Sequence, residues 1–201
     1  TYDVIRYPDL KTVATGLAET SFSEAIAEPV DGIAVYRYGV IARCGDLESE
    51  LAESNQVVIG SYAPPFIDFS QLIPDYPTLK GYTVIDANDD GITWHVFQGT
   101  ATISYNAAMA ADDWMILPPI RLEAGHAYEL SFDAYGEQDY LTERLEVKMG
   151  VSPQPEALTT PIVPVTDINA TASSKVHFSK MLAPETDGVY YIGFHGVSAA
   201  D

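Results

Sequence analysis

Tyr82-Thr83-Val84-Ile85-Asp86-Ala87-Asn88-Asp89-Asp90-Gly91 runs from an alternating apolar segment into a loop with an acidic or amide side chain at every second position. The closing glycine tolerates the sharp turn that such a loop needs. Oxygen-bearing side chains at this spacing can wrap a hard cation. Downstream, Asp112-Asp113-Trp114-Met115-Ile116-Leu117 sets two carboxylates and a large ring at the mouth of a strand that must be buried, and Pro118-Pro119 ends it. These two segments predict a pair of strands around which the surrounding sequence builds sheet.

Working outward, short apolar runs recur between turn residues. They are Tyr82–Ile85, Thr93–Gln98, Ala101–Tyr105, Trp114–Leu117, Tyr128–Ala134, Leu145–Met149, Val176–Leu182 and Val189–Phe194, with Gly, Pro, Asp or Asn in the gaps. With no helix-period segment among them, they predict a two-sheet jelly roll. Residues 151–170 are rich in proline, threonine and valine, which suits a surface connection or an irregular edge strand but not a central one. Upstream, Tyr2–Tyr7, Thr12–Ala14, Tyr36–Ala42 and Gln56–Ile59 alternate with period two between turn signals such as Pro8-Asp9 and Cys44-Gly45-Asp46. The Pro64-Pro65 connection separates these strands from the rest, so the fold class is all-β in two domains, residues 1–60 and 61–201.

Composition narrows the function. Of 201 residues 47% are apolar, with 13 tyrosines and 13 prolines, enough for one large or two small cores. The net charge of −19, with only 10 basic residues, lacks the basic footprint of a nucleic-acid or anionic-membrane binder and suits cation binding and solubility. A single cysteine, Cys44, rules out an intramolecular disulfide and a thiolate metal cluster. No run approaches the ~20 apolar residues of a membrane-spanning helix, and the first residues show no basic region followed by a hydrophobic segment, so an exported protein would have had its signal removed.

The series Tyr36, Tyr38, Val40 and Ala42, followed by the acidic turn Gly45–Glu50 and the strand ending at Ile59, resembles the last two strands of a fibronectin type III domain. In that resemblance Tyr2–Tyr7 matches the third strand, Leu17–Phe22 leads into the fifth, and Tyr36 takes the place of the tyrosine corner. It implies that the family's first two strands lie before Thr1. A sharper resemblance covers residues 61–201. Asp86–Trp94, Asp112–Pro119, Tyr128–Ala134, Glu143–Val147 and Tyr190–His195 occur in the order and rough spacing of the cleaved-adhesin family, jelly-roll modules with a galactose-binding-like fold from secreted adhesins of Bacteroidetes. Members of that family continue into a further strand with an aspartate-asparagine pair, whereas this sequence stops at Asp201. The expected fold is therefore a partial fibronectin type III (Ig-like) sandwich followed by a two-sheet jelly-roll sandwich.

The acidic loop is no EF-hand, because the position of the bidentate glutamate holds Phe97 and no helices flank it. It is either a Ca²⁺ loop, with Asp86, Asn88, Asp90 and Asp112 as ligands and Asp68 and Asp113 as further donors, or an Asx-rich turn bonding its own backbone. Trp94, Tyr135 and Tyr140 are candidate ligand-binding aromatics beside loops, with Tyr105 a further platform ring, while Trp114 reads as core. The histidines at 95, 126, 177 and 195 show no zinc spacing, no Gly-x-Ser-x-Gly elbow occurs, and acidic pairs are expected among 29 acidic residues, so no catalytic residues are assigned. Asn169-Ala170-Thr171 matches a glycosylation acceptor. The resemblance implies a non-catalytic adhesion module of a larger exported bacterial surface protein. It would be secreted or displayed at the cell surface, and would bind host protein or glycan beside further domains of the same polypeptide. The rival readings are an accessory domain of a secreted protease or glycosidase, and a structural spacer.

Overall fold

The structure, a computed structural model, describes residues 1–64, 79, 81–138 and 140–200, so the expected donor Asp68 lies outside the described residues. The chain divides into two compact units, Thr1–Gly60 and Ser61–Asp201.

In the first unit, β1 (Tyr2–Tyr7) pairs antiparallel with β2 (Lys11–Leu17) on one side and β3 (Gly32–Cys44) on the other. The short strands β4 (Leu47–Glu48) and β5 (Ala52–Glu53), and then β6 (Val57–Ser61), pair with β3. These described residues make one sheet, and residues 18–31 hold no strand, so the expected fifth strand of a sandwich does not appear there. That stretch is held instead by side chains. Arg6 Nη1 donates to Glu24 Oε1 at 2.6 Å, and Tyr38 donates its hydroxyl hydrogen to Glu24 Oε2 at 3.1 Å. Tyr36 lies beneath the Arg6 guanidinium, 5.4 Å from ring centre to Cζ, and makes no corner-type hydroxyl bond among the described residues.

The second unit is a sandwich. Its larger sheet has the order β14 (Thr160–Ile168), β13 (Glu143–Gly150), β16 (Gly188–Gly196), β10 (Asp113–Ile116), β7 (Thr83–Asp86), and β11 (Ile120–Leu122) pairs with the start of β16. Facing it are β12 (Tyr128–Ala134) paired with β15 (Val176–Leu182), and the hairpin of β8 (His95–Phe97) and β9 (Thr100–Thr102). Period-two alternation divides β16 between faces: Tyr190, Ile192 and Phe194 enter the core, while Tyr191, Gly193 and His195 face outward. Phe132 and Phe178 of the smaller sheet stack at 4.8 Å, and Phe194 meets Phe132 edge-on at 5.0 Å, which ties the layers together. Each fully buried aliphatic such as Ile116, Val147 or Ile192 contributes about 1.5–3 kcal/mol relative to exposure.

The larger sheet is also covered on its outer face. Trp114 and Ile116 pack there with Leu158, which follows a 3-10 turn at Pro155–Ala157. The proline-containing β14 lies at the sheet edge, paired only with β13 and with shifted register, as Pro161 and Pro164 require.

Candidate functional site

The site grows from one register position. Asp113 opens β10 and lies directly opposite Asp86 on β7 and Gly196 on β16. Met115, two residues on, belongs to the main core, so Asp113 turns inward with it, to a side chain only 1% exposed. Its Oδ2 accepts the backbone N–H of Asp112 at 3.2 Å, whereas its Oδ1 has no hydrogen-bond partner among the described residues. The Thr93 hydroxyl is buried close to it. Burial first, and then the negative charges of Asp86 and Asp90, push the Asp113 carboxyl above the usual carboxylate range, eased by the Asp112 N–H and by Thr93. Like charges opposed across a ladder repel, so this arrangement lacks a counter-charge.

The acidic loop beside it is ordered by its own side chains. Asp86 accepts the backbone N–H groups of Asp90 at 3.2 Å and Gly91 at 2.8 Å, and Asp90 accepts that of Ile92 at 2.7 Å. Asn88 donates to the Ala110 carbonyl at 2.7 Å, and Asn106 to Asp90 Oδ2 at 2.8 Å. The Ile92 N–H, followed by Asn106, holds the Asp90 carboxyl below its ordinary range. Left-handed backbone at Asp89 (φ 58°) and Gly91 (φ 78°) closes the turn. Thus the Asx-turn description fits the loop's backbone, while Asp113 beneath it remains unsatisfied.

Beside them lies a small cleft of about 20 Å³, room for one water- or ion-sized particle. Asp90, Asn106 and Asp113 form its polar side with Glu143 and Ser198, and Tyr105 (71% exposed) and Met109 (43%) stand at its rim. The far wall is braced where Ser198 donates to Glu143 at 2.6 Å and Ala111 N–H bonds the Ser198 carbonyl at 2.9 Å. Among the described residues no three His, Cys, Asp or Glu side chains already form a metal cage, so a cation here would draw further oxygens from backbone, amide, hydroxyl or water.

Of the expected ligands, Asp86, Asn88 and Asp90 come together in the loop. Asp112 does not join them: its carboxylate faces the other side of the sheet, where Oδ1 lies 2.6 Å from His195 Nε2, and Asp113 takes the inward place. Trp94 is no free platform. Its indole N–H donates to the Asp113 carbonyl at 3.0 Å, and its ring lies 3.7 Å from where a Cβ on Gly196 would stand. Tyr135 and Tyr140 are exposed, but neither lines the cleft. Tyr105 and Met109 are the rim residues. The sequence signal for Met109, an apolar residue stranded in a polar, small-residue passage, is faint.

Two histidine–aspartate contacts lie outside the cleft. His177 Nδ1 lies 2.9 Å from Asp133 on the exposed face of β15, where the nearby Ser179 donates to Glu129. His195 has a carboxylate at each ring nitrogen.

No protein-family model matches the chain, and no curated protein matches it. Among solved structures it is similar to the K1 cleaved adhesin domain of Lys-gingipain from Porphyromonas gingivalis W83, with 17% identity and a TM-score of 0.49 over 66% of this chain and 87% of that one. The K3 cleaved adhesin domain of the same protein gives 18% identity and 0.48 over 67% and 88%. A family 35 carbohydrate binding module from Clostridium thermocellum gives 8% and 0.38 over 59% and 82%.

Proposed function

We propose that this chain is a non-catalytic adhesion module whose partner, a host protein or glycan, meets the rim of the acidic cleft of the second unit. The observation that carries this reading is a buried carboxylate with an unpartnered oxygen lining an open cleft whose rim is an exposed tyrosine and an exposed methionine. The rim lies on the connection between β9 and β10, and an amphipathic ring over a polar floor suits a sugar ring or a protein side chain equally. The sequence resemblance to cleaved adhesins supports adhesion as the task and an exported, surface-attached parent as its setting. The order β2-β1-β3, with β6 also paired to β3, supports reading the first unit as part of a fibronectin type III domain.

The donor set fits Ca²⁺. Asp113 and Asp90 would hold it, with Asp86 and Asn88 fixing the loop, and the bound ion would supply positive charge beside these carboxylates. The test is binding of the whole chain to a panel of glycans and host matrix proteins, in calcium and in chelator, beside Tyr105→Ala. The reading predicts at least one partner lost in the variant; no partner, or binding unchanged by Tyr105→Ala, overturns it.

A further inference from the structure

We propose that His195, on the outer face of the larger sheet, is a positioning residue for the Asp113 carboxylate on the inner face. This rests on the cation reading of the cleft and names a part of the site that touches neither cation nor partner.

The His195 ring stacks on Trp114 at 4.0 Å and 13°, and its side chain is 12% exposed. Nδ1 lies 2.7 Å from Glu146 Oε1 and Nε2 2.6 Å from Asp112 Oδ1. Each ring nitrogen thus has a carboxylate oxygen within hydrogen-bond distance. Glu146 is itself fixed by Lys148 Nζ at 2.8 Å, and Lys148 lies 5.6 Å over the Trp114 ring. The result is a line of charge-assisted hydrogen bonds, Lys148 to Glu146 to His195 to Asp112, laid on an aromatic floor.

Its last member matters because of what the Asp112 backbone does. Asp112 accepts the Ala87 N–H at 3.0 Å, anchoring the base of the acidic loop, and its own N–H holds Asp113 Oδ2 at 3.2 Å. Neighbouring strand residues face opposite sides of a sheet, so the clamp on the Asp112 side chain reaches the cleft through one peptide unit. With Oδ2 held by that N–H, Oδ1 is the carboxylate oxygen left without a hydrogen-bond partner among the described residues. Without the clamp, Asp112 is an exposed strand-end residue, 54% exposed at its side chain, free to change rotamer and carry its peptide with it. Outer groups that orient a ligating carboxylate typically matter by 10–100-fold in metal affinity.

The test uses the full chain and four proteins: wild type, His195→Phe, Asp112→Ala and Asp112→Asn. Phenylalanine keeps the stack on Trp114 and loses both hydrogen bonds. Alanine removes the clamp from an exposed position where misfolding is not at issue, and asparagine keeps an oxygen for His195. Calcium affinity is read by calorimetric titration, cation-free thermal stability alongside it, and exchange of the Ala87 amide by NMR. Positioning predicts calcium binding weakened about 10–100-fold in His195→Phe and Asp112→Ala. It also predicts rescue in Asp112→Asn, and faster Ala87 exchange wherever the clamp is gone. Wild-type affinity in both clamp-free variants overturns the proposal. If wild type takes up no calcium, the cation reading fails by itself, and the clamp is judged on the Ala87 amide: faster exchange without the clamp upholds it, and unchanged exchange overturns it.

Discussion

Replacing Asp113 by asparagine should have opposite effects on stability with and without calcium. The residue is 1% exposed, its Oδ1 is unpartnered, and Asp86 and Asp90 add like charge. A buried polar group left unsatisfied costs about 1–3 kcal/mol, more when charged. Asparagine has the same shape and removes the charge, and its amide can donate toward the buried Thr93 hydroxyl nearby. In chelator, Asp113→Asn should therefore gain about 1–3 kcal/mol. For a chain of this size that raises Tm by roughly 2–12 °C. In calcium at a thousand times Kd, wild type gains about 4 kcal/mol by mass action, and the variant, lacking the central charge, gains little. The two melting curves should thus exchange order on adding calcium. The pH dependence carries the same sign. Because folding raises the Asp113 carboxyl pKa, its contribution is fully present below the ordinary carboxylate range and is lost as pH rises through the folded value, a loss absent from the asparagine variant. Differential scanning calorimetry in chelator and in calcium measures both arms. A variant less stable than wild type in chelator, or one with an undiminished calcium response, refutes the reasoning.

Other expectations follow from single contacts. Gly193→Ala should lower stability by about 1–3 kcal/mol, because its Cβ would lie 2.4 Å from Leu158 Cδ1 and 3.0 Å from the Trp114 ring; a chemical denaturation midpoint equal to wild type contradicts that packing. Trp94→Phe removes the indole hydrogen bond to the Asp113 carbonyl and should cost about 0.5–1.5 kcal/mol beyond any packing change, read in the same way. Tyr105→Ala should change stability by less than about 0.5 kcal/mol, since the ring is exposed, so any loss of partner binding reports contact rather than folding. Asp3 is held low by the Gly16 N–H and Arg43, and Asp133 by His177 and Lys175. Their contributions are present above the ordinary carboxylate range and are lost as pH falls through their folded values, so acid titration followed by far-ultraviolet circular dichroism should show loss of sheet below that range.

Alternation carried most of the fold into view. Tyr128–Ala134 and Val176–Leu182 show an apolar residue at nearly every second position, and their bounds coincide with β12 and β15. The three-residue strand Ile120–Leu122 is hidden because it follows two prolines and is too short to show a period. Thr160–Ile168 could not be separated from a loop, since the prolines that exclude it from a central position permit both alternatives. The site was visible in its loop but not in its depth. Asp112 and Asp113 differ only in which face of β10 they take. Because Trp114, Met115, Ile116 and Leu117 are apolar on both faces, no phase distinguishes inward from outward. Only pairing with β7 and β16 settles it. The clamp through His195 joins residues 49 and 83 positions apart, a distance no local pattern spans.

The most direct test is crystallographic: crystals of the chain grown in calcium, with anomalous data collected to locate the ion. The account predicts one peak in the cleft, with Asp113 Oδ1 at about 2.3–2.6 Å. A cleft that holds only water, with Asp113 turned to a protein donor, would contradict it.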